Sequence, residues 1–436
     1  MAGLSRLASL LRILVACALL ALAACSGTAR DSMYGTWRAV LPVAGGDLPF
    51  GLEIARQQGR DVAWLINGPE RAQVTDVTID GDRISMGMPG YAHRLDARLA
   101  AGRLEGEVIF LRPGGEHKAV RMIAERGLGW RFFPGSAGEN ANFSGRWMLS
   151  FRDPDSGAES TGIAELTQQG RVVTGTVLRE SGDDRYIAGE ARGDMVFLSR
   201  FDGGSAFLYV GRLNESGELE GEFRSALGTF RIMAGRRDAA ARLADVTTLT
   251  QLRADAGPVQ FSFPDADGRS VSLADEQFRD KVVIVTMGGT WCPNCHDEAT
   301  FLQEFLPPRR DRGLEIVQLM FEYTDDFASA AASVRRFTDE FAIGYPVLIA
   351  GSYESGAAQR AIPQLEKFYA YPTMLVLDRS GRIRYTHTGF SGPATGMHYE
   401  EFRREFSAVI DGLLSEKGPG AARRPSPQRP APSRGA

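Results

Sequence analysis

Cysteine is nearly absent from this 436-residue chain, which holds four, at positions 17, 25, 292 and 295. That number excludes the dense disulfide framework that staples small secreted domains. A membrane-spanning run is missing too, because the apolar stretch Ile13–Ala24 falls short of the roughly 20 residues a bilayer requires. Positive charge is not in excess. Lys plus Arg total 50 against 54 Asp plus Glu, a formal net charge of -4, and removing the first 24 residues, with Arg6 and Arg12 and no acid, leaves -6. The electrostatic footprint of a nucleic-acid binder is therefore lacking. What is present is a globular composition, 43% hydrophobic and 24% charged, which can fill cores. At roughly 150 residues per domain the length predicts about three of them.

The positively charged start and short apolar run read as a secretory signal. It ends Leu22-Ala23-Ala24-Cys25, which resembles the lipobox of bacterial lipoproteins. By that resemblance residues 1–24 are a signal peptide, and Cys25 is the lipidated first residue that ties the mature chain to a membrane. Ser26 favours the outer over the inner membrane, so the expected location is the cell envelope, facing the periplasm. Cys17 leaves with the signal and Cys25 goes to lipid, so Cys292 and Cys295 remain alone. At the other end, residues 417–436 hold Lys417, Arg423, Arg424, Arg429 and Arg434, five prolines and no acid, and read as a disordered basic tail.

An internal repeat covers most of the N-terminal half. Gly35-Thr36-Trp37 recurs as Gly145-Arg146-Trp147, Gln57-Gln58-Gly59-Arg60 as Gln168-Gln169-Gly170-Arg171, Gly81-Asp82 as Gly193-Asp194, and Leu104-Glu105-Gly106-Glu107 as Leu219-Glu220-Gly221-Glu222. These define two modules, 33–126 and 143–236. Alternating runs such as Val74–Ile79 and Phe207–Val210, separated by turn residues including Gly81-Asp82 and Gly203-Gly204, predict antiparallel β-structure closed into a small barrel or sandwich. Neither module repeats a metal-ligand pattern, and Trp37, Trp64, Trp130 and Trp147 are expected in cores rather than around a ligand.

Residues 237–257 read as a linker. From 258 to 416 strand and helix alternate, with buried strands at Val282–Val285, Ile316–Met320 and Met374–Leu377 and helices near 293–306, 328–341, 357–369 and 399–415. The fold class is thus multidomain: two all-β modules followed by an α/β domain. Trp291-Cys292-Pro293-Asn294-Cys295 follows the first buried strand and opens an amphipathic helix bearing Phe301, Leu302, Phe305 and Leu306. A cysteine at a helix N-terminus faces unpaired amides and the positive dipole end, which favour thiolate over thiol. Pro293 suits the first turn, where a missing donor costs nothing. Two intervening residues let the sulfurs meet, so the pair can cycle between dithiol and disulfide, with Cys292 as nucleophile and the deeper Cys295 as resolving thiol. A structural bridge across so small a loop would stabilise little, and zinc would need four ligands where only His296 is near.

Residues 258–416 resemble the TlpA-like branch of the thioredoxin superfamily, exported and often membrane-tethered disulfide reductases. The resemblance rests on Phe263-Pro264-Asp265 with Asp267-Gly268 and Leu273 as leading hairpin, Lys281–Val285 as first central strand, Gly289–Cys295 as active site, and Tyr371-Pro372-Thr373 as the cis-proline loop. It implies a cis Pro372 beside the cysteines, with Trp291, Tyr371 and Thr373 also meeting substrate. The aspartate that thioredoxin itself buries six residues before its first cysteine is replaced by Thr286, and the resemblance assigns proton exchange with Cys295 to Glu298, one turn further along the same helical face. Asp297 is expected to be solvated. His296 is expected either to tune the thiolate or to lie at the surface, and the Phe390–Gly396 loop to lie at the active-site rim.

The expected function is that of an extracytoplasmic thiol:disulfide oxidoreductase, a reductase by resemblance, needing no cofactor and no metal. Its partners would be disulfide-bearing proteins and an electron donor. Thiol peroxidase is disfavoured because Gly289 and Val285 stand where peroxiredoxins carry threonine and proline. Copper delivery through Cys292, Cys295 and His387 or His398 is disfavoured because related carriers space their cysteines by three residues rather than two.

Overall fold

A computed structural model describes residues 32–127, 129–135 and 138–417. The signal, Cys25 and the tail after Lys417 lie outside the described residues.

The first module runs through β1 (Gly35–Val43), β2 (Gly46–Gln57), β3 (Arg60–Asn67), β4 (Glu70–Val74), β5 (Val77–Asp80), β6 (Arg83–Gly87), β7 (Arg94–Ala100), β8 (Arg103–Leu111) and β9 (His117–Arg126). Among the described residues these form one antiparallel sheet in the order β4-β3-β2-β1-β9-β8-β7-β6-β5. The two-residue period of a strand sets its inner face: in β8, Leu104, Val108 and Phe110 are buried while Arg103, Glu105 and Glu107 are exposed.

The second module runs through β10 (Gly145–Arg152), β11 (Glu159–Gln169), β12 (Val172–Arg179), β13 (Ile187–Arg192), β14 (Met195–Phe201), β15 (Ala206–Leu213), β16 (Leu219–Ser225) and β17 (Phe230–Arg237). Here β11 pairs with both β10 and β12, β12 with β13, and β17 with β10, so the sheet closes into a barrel. Between β12 and β13 the chain makes a tight hairpin in which Arg179 pairs with Gly182 and Leu178 with Asp183.

The repeat is visible in side chains. Trp37 Nε1 donates to the Met33 carbonyl and Trp147 Nε1 to that of Phe143, both at 2.9 Å. Arg126 lies 4.4 Å over Trp37 and Arg237 lies 4.3 Å over Trp147, each arginine also donating to two carbonyls at the start of its module. Trp37 and Trp147 fill cores, whereas Trp64 and Trp130 lie under Arg71 and Arg38. The two modules share apolar packing, because Phe201, Ala206, Leu208 and Ala226 of the second belong to the core of the first.

In the C-terminal domain β18 (Val282–Gly288), β19 (Leu314–Glu322), β20 (Val347–Ser352), β21 (Thr373–Leu377) and β22 (Ile383–Thr388) form a sheet in the order β20-β19-β18-β21-β22. Neighbours β18, β19 and β20 are parallel, and β21 and β22 are antiparallel to theirs. Helices α1 (Pro293–Phe305), α2 (Phe327–Glu340) and α3 (Met397–Ser415) bury Phe301, Phe305, Phe337, Phe406 and Ile410 against one face, including Ile284 and Ile316. Val283, Val285, Val317 and Leu319 point the other way, onto Phe261 and Ala357–Ile362. Being covered on both faces, β18 is apolar along nearly its whole length.

The helix expected over 357–369 is confined to Ala357–Ala361. Pro363 cannot continue it, and Leu365–Lys367 instead pairs with Gln251–Leu252. Residues 238–257 are packed against both neighbours: Ala241 lies on Ile163 and Leu178 of the second module, while Thr388 N–H donates to the Val246 carbonyl at 3.0 Å and the hydroxyls of Thr250 and Thr388 are 2.7 Å apart.

Candidate active site

β18 is extended up to Gly288, after which Gly289 and Thr290 turn the chain into α1. Cys292 is the N-cap of that helix and its Sγ accepts the Cys295 N–H at 3.2 Å. The two cysteines form a disulfide with Cα atoms 5.2 Å apart. Cys295 is fully buried and Cys292 only 4% exposed. The turn before the motif is pinned by Glu322, the last residue of β19, whose carboxylate accepts from Thr290 N at 2.9 Å and from Thr290 Oγ1 at 2.6 Å. Burial raises Glu322 to about 6 despite those two bonds.

Trp291 donates from Nε1 to the Phe321 carbonyl at 2.8 Å. Its ring stacks on Tyr323 at 4.8 Å and meets Tyr353 and Tyr371 edge-on at 4.6 and 5.9 Å. The Tyr371-Pro372 bond is cis, the isomer the resemblance implies. Pro372 O accepts from Gly389 N at 2.7 Å, and the buried Thr373 bonds from Oγ1 to Ala370 O at 2.7 Å. Trp291 and Tyr371 thus share one aromatic wall, anchored on the β19 end and the proline loop.

Glu298 is fully buried, and Thr286 Oγ1 donates to its Oε2. Burial raises its carboxyl to about 8, against the opposing Thr286 bond. Thr286 therefore occupies the aspartate's sequence position while holding the glutamate that the resemblance puts in charge of the proton. The other glutamate oxygen, Oε1, has no hydrogen-bond partner among the described residues, and neither has Gln318 Nε2. A Cβ placed on Gly288 would lie 3.0 Å from Cys295 Sγ and 3.6 Å from Gln318 Nε2, which puts that amide behind the inner sulfur. Buried polar atoms without protein partners are positions that water serves. Gln318 and Glu322 were not singled out in the sequence, although a Gln inside Ile316-Val317-Gln318-Leu319-Met320 is a signal in itself.

Two expectations are corrected. Asp297 is not solvated but is covered by the second barrel: Arg185 Nη2 lies 3.1 Å from its Oδ1, and burial raises its carboxyl to about 6 although Arg185 opposes the shift. Arg185 is shared, lying 2.8 Å from Asp202 and 3.2 Å from Glu70, so no single carboxylate has its full field. Nor is His296 at the surface. It is buried, bonded through Nε2 to Thr290 O at 2.8 Å and stacked at 4.0 Å on Tyr91 of the first module, and burial lowers it to about 3. A ring held neutral supplies no charge to a thiolate.

The Phe390–Gly396 loop adjoins the motif, with Gly392 N donating to Asp183 Oδ2 at 2.7 Å. His387 packs 4.9 Å from Phe402, and His398 bonds Glu165 at 3.0 Å. Residues Arg185, Asp183 and Tyr91 went unread in the sequence, since no local pattern marks a barrel turn that meets a helix more than a hundred residues away.

Residues 253–399 match the Redoxin family model. Over 123 residues the chain is 28% identical to thiol-disulfide oxidoreductase ResA of Bacillus thuringiensis subsp. konkukian (strain 97-27), covering 28% of this chain and 62% of the relative. Over 129 residues it is 26% identical to the ResA of Geobacillus thermodenitrificans (strain NG80-2), covering 30% and 66% respectively. A thiol:disulfide interchange protein, thioredoxin family protein from Chlorobium tepidum TLS superposes with a TM-score of 0.29 at 23% identity, over 37% of this chain and all of that one. The chain thus spans less than two thirds of the first of these relatives. Its C-terminal part, which matches the redoxin model, carries a five-stranded sheet with helices packed on it and is preceded by two barrel-like β-modules.

Proposed function

We propose that the protein is an extracytoplasmic thiol:disulfide oxidoreductase, acting as a reductase of protein disulfides. The observation that carries this is the Cys292–Cys295 bond at the head of α1, where Cys292 Sγ already accepts a helix amide. In the dithiol form the same amide and the dipole end stabilise a Cys292 thiolate. That thiolate attacks a substrate disulfide: a Cys292–substrate bond forms, the substrate S–S bond breaks, and the departing sulfur leaves as thiolate. Cys295 gives up its proton, attacks Cys292 Sγ and releases the second substrate sulfur, so two electrons pass to the substrate and the pair becomes oxidised. Glu298 suits the proton exchange because a carboxyl at about 8 can both hold and release a proton near neutrality. A donor dithiol then reverses the sequence, and Glu298 returns the proton to Cys295. Trp291, Tyr371, Pro372 and Thr373 frame the substrate side.

Cys292→Ser is expected to abolish reduction of insulin disulfides and Cys295→Ser to accumulate mixed disulfides in cells. An active Cys292→Ser protein would refute the reading. The membrane attachment rests on Leu22–Cys25: globomycin, which blocks lipoprotein processing, is expected to leave a precursor, and its absence would reassign the anchor.

A further inference from the structure

The dipeptide between the cysteines is already occupied by another part of the same chain. Asn294 Nδ2 donates to the Asp183 carbonyl at 3.0 Å. Gly182, at φ +138, approaches so closely that a Cβ there would lie 2.6 Å from Asn294 Cγ and 2.8 Å from Phe390 O. On the other side Gly389, at φ +77, faces the hairpin backbone, and its Cβ would lie 2.7 Å from Ser181 C and 2.9 Å from Glu180 O. Glycine is needed at both places, by conformation and by contact. Since Gly389 N–H is bonded to Pro372 O, the hairpin tip sits one hydrogen bond from the cis-proline loop. Asp183 Oδ2 takes the Gly392 amide, Glu180 takes the Tyr369 hydroxyl, and Arg185 takes Asp297 in the first turns of α1.

We propose that the hairpin Arg179–Arg185 of the second barrel is the specificity-determining element of this active site, admitting small thiols and disulfides while docked and protein disulfides only once displaced. Thiol–disulfide exchange needs the attacking sulfur on the S–S axis, so a protein partner must lay its chain over Cys292 beside the proline loop. The hairpin backbone borders that place, and Cys292 keeps 4% of its surface. A small thiol has no chain to accommodate. The closure is electrostatic as well as steric: burial opposes the Arg185 charge, but Asp297, Asp202 and Glu70 together hold it charged. Removing either side of the Arg185–Asp297 contact leaves a buried charge less well paired and favours release.

This inference rests on the oxidoreductase reading and is tested on the full oxidised chain. The rate at which the Cys292–Cys295 bond is reduced is measured with dithiothreitol and with reduced thioredoxin as a protein-sized thiol, by alkylation and mass. In either exchange the reagent thiolate bonds Cys292 Sγ, Cys295 leaves and is protonated, and the reagent's second sulfur completes the transfer. Arg185→Met and, from the other side, Asp297→Ala are expected to raise the thioredoxin-to-dithiothreitol rate ratio at least about tenfold. The double variant is expected to gain little beyond Arg185→Met, which already removes the contact that Asp297→Ala breaks. A ratio unchanged in both single variants overturns the proposal. A disulfide that resists both reagents in every variant overturns the oxidoreductase reading instead.

Discussion

Trp37 and Trp147 have the same surroundings in the two β-modules, a carbonyl four residues back and an arginine over the ring. The chain after β3 and after β12 does not. In the first module Asn67 leads through Gly68-Pro69 into β4, which pairs with β3, and the sheet order ends at β4 and β5 without joining them. In the second the corresponding stretch is the Arg179–Arg185 hairpin, after which β12 pairs with β13 and the barrel shuts. The two turns meet, because Glu70 from one reaches Arg185 from the other. A repeated scaffold has kept its core plug in both copies and changed one turn, and the changed turn faces the redox helix.

The comparison can be broken at the plug. Trp37→Ala and Trp147→Ala should each cost about 3–5 kcal/mol in denaturant unfolding, and a silent member of the pair would mean the copies are not built alike. It can be sharpened at the turn. Arg185→Met should cost about 3 kcal/mol, because Asp202, Glu70 and Asp297 lose a shared buried partner.

A further measurement separates the barrel contact from the redox helix by pH. Glu298 is raised from 4.5 to about 8, so its neutral form is favoured by folding; that contribution is complete below about 4.5 and is lost as pH rises through about 8. Glu298→Gln should flatten the stability profile across that window, whereas Asp297→Ala should change it only between about 3.8 and about 6. An unaltered profile in Glu298→Gln would remove it from the buried proton site. The smallest effect belongs to the partly exposed Arg71–Glu53 pair of the first module, where Arg71→Met should cost under about 1 kcal/mol by the same unfolding assay.

What was legible in the sequence was local. The Cys-Pro-Asn-Cys turn, the cis-proline loop and the helix-face relation of Cys295 to Glu298 are short-range patterns, and the duplication shows in repeated tripeptides. Pro363, which stops the helix after Ala361, is a local signal of the same kind. The sequence alone leaves Asp297 as a solvated acid and His296 either beside the thiolate or at the surface. Their burial depends on Arg185 and Tyr91, placed there by tertiary packing that carries no periodicity in the chain. Glu322 and Gln318 fall between these cases, polar residues set into apolar strands whose purpose emerges only when β19 is laid beside β18.

Because Phe201, Ala206, Leu208 and Ala226 of the second module complete the interior of the first, the two share one core. On the proposed reading, displacing the hairpin works against that shared core and against residues 238–257, whose threonines are bonded to β22. On that reading a lesion deep in the first module, far from any thiol, would be felt as a change in who is allowed to exchange electrons.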